Sequence, residues 1–220
     1  MSWLDEYKTR LQANSATNAG DYFSNATKIN NINLFKGSPT YRLIQVDGVS
    51  TDVRVIQGKD EENVELLFLP DTSMTRGKTA EIDGLYWLLI NVIGTDVFPK
   101  AKAKLCNSTF PLTNTTKVLV GYDDFGKPAY TEADTVTYIP CIAETKMYAG
   151  SSDLSEAINL PENKIVITIA YTEHQTIKIN QEFEIYDQFY KIIAIDKTKS
   201  DTVNKTGLFV IHAEMVVIST

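Results

Sequence analysis

The chain carries its apolar pattern twice. Ile82 aligns with Ile185, an offset of 103, and the register holds without a gap over roughly thirty residues. Val64, Leu66 and Phe68 fall on Ile167, Ile169 and Tyr171, while Tyr86, Trp87, Leu89 and Ile90 fall on Phe189, Tyr190, Ile192 and Ile193. Each copy also has a polar turn after its first strand, around Thr72 to Gly77 and Thr172 to Asn180. Two readings fit. Any two antiparallel β segments share a period of two, so the match can be generic, or the chain holds two related β units, each half of a barrel or one small barrel.

Local signals support strands throughout. Arg42 to Val46 and Val49 to Val55 flank Asp47-Gly48, a favoured two-residue hairpin turn because both positions must reach positive φ. A third strand is expected over Val64 to Leu69, and a fourth over Thr79 to Ile93, carrying Asp83-Gly84 and the run Leu85 to Ile90. That run is too continuous for a strand with one wet face, so both of its faces should be covered. Between the copies, strands are expected at Lys117 to Tyr122, Thr135 to Ala143 and Lys146 to Tyr148, with a helical turn at Leu154 to Ile158. Gly207 to Met215 reads as a closing strand.

The N-terminus differs. Trp3, Leu4, Tyr7 and Leu11 recur at helical spacing, and Ser2 followed by Asp5 has capping-box spacing, so one amphipathic helix is predicted over Ser2 to Ala13. A helix this short needs a surface for its stripe, either this chain's own core or a neighbouring subunit. From Asn14 to Pro39 the chain reads as an extended or partly ordered arm, anchored at intervals by Tyr22, Phe23, Ile29, Ile32, Leu34 and Phe35. The expected class is all-β, mainly antiparallel small barrel or sandwich units, with one short N-terminal helix. Its parts are a helix and arm over 1–40, a β unit over 41–106, a middle insertion with short strands over 107–162, and a second β unit over 163–220.

Composition narrows the function. At 220 residues and 43% hydrophobic, the chain can bury one substantial core or two small ones. A net charge of −7 argues against a surface that grips a phosphate backbone. The polar, charged N-terminal residues are not expected to form a secretory signal, and no apolar run reaches the length of a membrane span. Cys106 and Cys141 have no metal-type spacing and read as small buried hydrophobes.

Motifs for chemistry are weak. Gly121 to Pro128 has phosphate-loop spacing, but Pro128 stands where a hydroxyl should hold the metal, and Asp123 with Asp124 would repel a triphosphate, so a hairpin turn is expected. His174 and His212 lack ligand-type partners, and no serine or cysteine lies in a nucleophile motif. Acid pairs fall in turns, although a glycosidase's carboxylates need only meet in space. Tyr86, Trp87, Phe189 and Tyr190 sit in strand centres and read as core. No catalytic residue, metal site or cofactor is expected.

Several elements, taken in order, resemble a known group. They are Val46-Asp47-Gly48-Val49, Leu67 to Asp71 leading to Gly77, Ile82 to Leu88, Leu105-Cys106-Asn107, Leu160-Pro161, Phe183-Glu184-Ile185, Tyr190-Lys191-Ile192 and Gly207-Leu208-Phe209. Together they are similar to head-completion or stopper-type joining proteins of tailed phages and prophages of Gram-positive bacteria. The segment Asn107 to Glu162 departs from the regular strand pattern of that group. The resemblance implies a non-enzymatic virion protein, assembled in the host cytoplasm, that forms a ring at the head-tail interface. The implied partners are copies of itself, a portal or adaptor protein, a tail tube or terminator protein, and phage DNA passing through without specific binding; no membrane is involved. Contacts would come from the helix and arm (Trp3, Leu4, Tyr7, Leu11, Tyr22, Phe23, Leu34, Phe35) and from the hairpin loop at Asp123, Asp124 and Phe125. Other virion roles, such as tail completion, terminator or collar, share these features. A cell-wall carbohydrate module would instead require exposed aromatics in a groove or converging carboxylates.

Overall fold

The computed structural model of the protein describes residues 3–13, 19–58, 60–70, 72–94, 98–122, 125–148, 157–159 and 163–216. Helix α1 (Trp3–Ala13) is followed by α2 (Ala19–Lys36) and then by strands β1 (Tyr41–Val46), β2 (Val49–Gln57), β3 (Asn63–Phe68), β4 (Thr79–Ile82), β5 (Leu85–Ile93) and β6 (Lys100–Leu105). These six strands close into an antiparallel barrel in the order β1-β2-β3-β6-β5-β4. Asp47-Gly48 joins β1 to β2 and Asp83-Gly84 joins β4 to β5, all four residues at positive φ. The stretch expected as a single fourth strand is therefore a second hairpin, made by the same turn chemistry.

Then come β7 (Ser108–Tyr122), β8 (Pro128–Glu144), the small pair β9 (Lys146–Tyr148) and β10 (Ala157–Asn159), β11 (Lys164–Ala170), β12 (Glu182–Ile185), β13 (Gln188–Asp196), β14 (Ser200–Asp201) and β15 (Thr206–Met215). They build a second sheet in the order β12-β13-β15-β11-β8-β7, with β14 pairing on β15. Residues 107–162 are thus not an insertion: β7 and β8 are two strands of the second unit. The helical turn expected at Leu154 to Ile158 lies outside the described residues up to 156, and Ala157–Asn159 is strand.

Read by position, the second sheet is the first barrel again, β7-β8-β11-β15-β13-β12 matching β1-β2-β3-β6-β5-β4. The offset of 103 holds atom by atom around the repeated hairpin. The Gly77 N–H donates to Leu89 O (2.9 Å) and the Leu89 N–H to Lys78 O (2.9 Å). Correspondingly, Asn180 N–H donates to Ile192 O (2.8 Å) and Ile192 N–H to Gln181 O (2.9 Å). Gly77 and Asn180 both have positive φ, and a bulge follows Leu89 in one copy and Ile192 in the other. Buried residues match as well: Ile82 with Ile185, Trp87 with Tyr190, Leu89 with Ile192.

Outside the hairpin the offset changes. Val64 pairs with Ala103 and Leu66 with Ala101, whereas Ile165 pairs with Ala213 and Ile167 with Ile211. Val64 therefore corresponds to Ile165, not to Ile167 as the sequence alignment places it. A slip of two residues leaves every side chain on its own face, so a period-two pattern does not register it.

The two units share a third cluster, formed by Leu88, Ile142 and Leu208 with Ile90, Cys106 and Ala170 around it. This explains the apolar run in β5: Trp87 and Leu89 fill the first barrel, while Leu88 between them faces the second. Both faces are covered over Trp87 to Leu89, but Leu85 and Tyr86 at the start of β5 are exposed. Phe189 is exposed as well, so of the four aromatics expected in the core only Trp87 and Tyr190 are buried there. Lys104 pairs with Glu144 across the junction, and the Asn107 side chain bonds both the N–H and C=O of Ala143. The backbones also touch, Gly207 N–H donating to Arg76 O at 2.9 Å.

Candidate subunit-contact surfaces

Three features project beyond the two cores or remain open: the helical N-terminus, the outer part of the β7-β8 hairpin, and a seam in the second unit.

The region expected as an extended arm is helical over Ala19–Lys36. Helix α2 mixes apolar residues with four Asn spread along it, so the apolar periodicity that marks a helix in sequence is faint. Its C-terminal end is held down. Phe35 is 3% exposed, stacked on Phe98 at 5.5 Å and edge-on to Tyr41, with the Arg54 guanidinium 6.0 Å above its ring. Asp52 completes the latch, accepting from the Tyr41 hydroxyl and pairing with Lys36 at 3.2 Å. The Tyr41 hydrogen bond, aided by Lys36, holds Asp52 below the usual carboxylate range. A lowered pKa means the contribution is complete above the ordinary carboxylate range and is lost as pH falls through the lowered value, below about pH 4. Protection of the last α2 amides, taken as exchange relative to the intrinsic rate at each pH, is therefore expected to fall under acid, and Asp52→Asn is expected to show the reduced protection already at pH 7. A protection factor that is flat with pH would remove the latch from the account.

Among the predicted contact residues, Phe35 is thus an intrachain anchor. Leu34 beside it and Trp3 and Tyr7 on α1 are exposed. Leu4, Leu11, Tyr22 and Phe23 lie in α1 and α2, and their side chains fall outside the described set, as do Asp123 and Asp124 altogether. Phe125 is 89% exposed at the hairpin tip.

That hairpin is the largest projection. β7 and β8 pair from Ser108 with Cys141 out to Tyr122 with Pro128. Only the inner end is core, where Phe110 and Leu112 fill the second unit and Phe110 packs 4.9 Å from Phe183. From Asn114 outward the ribbon stands in solvent, and at about 3.3 Å per residue its nine outer β7 residues reach roughly 30 Å. Val118, Leu119, Val120, Tyr122 and Tyr130 are exposed along it. A lone two-stranded ribbon is marginal in water, so one of this length with large apolar side chains in solvent is a candidate contact surface.

The seam is where the two units differ. β1 closes the first barrel on β4 through Gln45 with Glu81 and Val46 with Ala80. The corresponding pairs in the second unit are Pro111 with Glu184 and Leu112 with Phe183, and no ladder forms there. Proline has no N–H to give, and the next outward N–H, at Thr113, turns instead to Thr176 Oγ1 at 3.1 Å. The result is a groove of about 460 Å³ between β7 and β12, lined by Pro111, Val136 and Tyr138 on one side and Glu182, Glu184, Tyr186 and Asp187 on the other. At its end Tyr186 and Asp187 occupy both positive-φ positions of the turn, where the first barrel has Asp83 and Gly84. Sequence reading missed the groove; Pro111 inside a strand was the one available signal.

For chemistry the geometry offers little. Burial pushes the Cys106 and Cys141 thiols up to about 12, so neither is a nucleophile near neutral pH. His174 is occupied by Thr176 at 2.7 Å and Asn114 at 2.8 Å, tying the base of the hairpin to the turn before β12. Among the described residues no group of three His, Cys, Asp or Glu could hold a metal ion, and no helix is long and apolar enough to cross a membrane.

One comparison with known proteins falls on this same half of the chain. The YomX C-terminal domain family matches residues 106–214, the bounds of the second unit with its hairpin and seam. The chain is also 25% identical over 163 residues to the SPbeta prophage-derived uncharacterized protein YomX of Bacillus subtilis (strain 168), covering 71% of this chain and 74% of that one. It is thus similar to a protein of prophage origin. No solved structure matches it.

Proposed function

We propose that the chain is a structural protein of a tailed-phage virion, a ring component of the neck that joins the head to the tail around the DNA channel. The observation that carries this reading is the β7-β8 ribbon, which holds Val118, Leu119, Val120, Tyr122 and Tyr130 exposed near its outer end in the single chain. Such a surface needs a neighbour, and one asymmetric contact repeated by rotation closes a ring. Similarity to a prophage-derived protein supports the phage setting, and a net charge of −7 suits a lumen past which DNA slides without being held.

On this reading function lies in contacts, and no reacting group is required. The ring would face a portal or adaptor on the head side and a tail tube or terminator on the other. Helices α1 and α2, fastened to the first barrel at Phe35, would reach an adjacent ring through Trp3, Tyr7 and Leu34. Size and symmetry of the purified chain test the proposal: light scattering and electron microscopy are expected to show a closed rotational oligomer. A monomer at every concentration, with or without capsid proteins, would reject it.

A further inference from the structure

We infer that the open seam of the second unit receives a second copy of this chain, the β7 edge of the neighbour's hairpin lying along β12 and adding a strand to it. This rests on the ribbon acting between copies, as proposed above, and names the surface it meets.

The first barrel shows what a completed seam looks like. There β4 is paired on its outer side by β1, with Asp47 N–H donating to Thr79 O at 2.9 Å. The position of Thr79 is taken by Glu182 and that of Glu81 by Glu184, and no strand of the described residues pairs on the outer edge of β12. A strand edge left this way is a template for another strand.

The outer ribbon supplies a matching edge. Beyond Asn114, β7 pairs with β8 alone. Thr113 turns its N–H toward Thr176 and away from β8, so by alternation Thr115, Lys117 and Leu119 present their backbone groups on that outer side. Charge selects between the two edges of the ribbon. The β12 wall carries Glu182, Glu184 and Asp187, the β8 edge carries Glu132 and Asp134, and the β7 edge carries Lys117. Like charges reject the β8 edge, and Lys117 favours the other. Leu119, exposed on the same face as Lys117, would meet the Val136 and Tyr138 side of the groove. Ribbon and seam are different surfaces of one chain, so the contact is head-to-tail and generates a ring or an open helix.

Charge reversal tests the pairing. Lys117→Glu and Glu184→Lys are each expected to weaken self-association at least about tenfold at low salt, with the combined variant returning to within about threefold of the wild type. Hydrogen exchange on the unmodified chain gives a second readout that needs no variant. Amides of Lys117, Leu119, Glu182 and Glu184 are expected to gain protection in the oligomer. Single variants that associate as tightly as the wild type, a combined variant that is not restored, or amides that exchange alike in monomer and oligomer would overturn the inference. Rings that survive both reversals would leave the neck reading standing and reject only this seam, whereas a wild-type chain that never associates would reject both.

Discussion

Gly77→Ala is expected to destabilise the protein by more than about 4 kcal/mol, which for a chain of this size lowers the melting temperature by roughly ten degrees. A Cβ there would stand 1.8 Å from Gly207 O and 2.6 Å from its carbonyl carbon. Both are backbone atoms of the other unit, fixed by the Gly207 to Arg76 hydrogen bond, so neither can swing aside. The left-handed φ of +88° adds about 1–2 kcal/mol for any side chain. Gly84→Ala is the control, since its φ of +79° is nearly the same and nothing lies within 4 Å. Only the conformational part should appear there. Calorimetry on the two variants separates the terms: a large gap locates the stress at the junction of the barrels, and equal losses would show that the junction yields.

Removing the outer ribbon should do the opposite, leaving stability nearly intact and abolishing assembly. Replacing Thr115 to Asp134 by Asn-Gly joins Asn114 to Thr135, which already face each other in the ladder, through a turn that suits a two-residue hairpin. Every buried residue of the second core is retained, as is the His174 contact to Asn114. The melting temperature is expected to stay within about three degrees of the parent, because exposed ribbon residues contribute little to folding. The oligomer is expected to disappear. A truncated chain that still forms rings would mean that the ribbon does not hold the subunits together.

Strands were legible where the turn chemistry was explicit. Asp47-Gly48 announces its hairpin, and the continuous run in β5 announces a strand covered on both faces, which holds at its centre but not at Leu85 and Tyr86. What it could not announce was the owner of each face, since Leu88 packs on a unit that begins twenty residues later. The repeat was legible as pattern but only partly as register, because the second copy's connection after its first strand is longer by two residues and the pleat repeats every two. Helix α2 reads as an extended arm in sequence for a related reason: Asn has weak helical preference, and the residues that tie the helix down, Phe35 and Lys36, act through Phe98, Tyr41 and Asp52 rather than through spacing within the helix. Of the candidate surfaces, the hairpin turn around Phe125 is legible in the sequence, and its exposure is observed. The seam is not legible, because it is defined by a missing ladder, visible only when the two units are laid over each other and Pro111 falls where Gln45 pairs with Glu81.

On the proposed reading a phage encodes this chain, and that phage offers the most direct test of head-to-tail joining. With the gene silenced, electron micrographs of induced lysates are expected to show DNA-filled heads and finished tails lying apart, and complementation in trans should join them. Complete, infectious particles from the silenced phage would contradict the account.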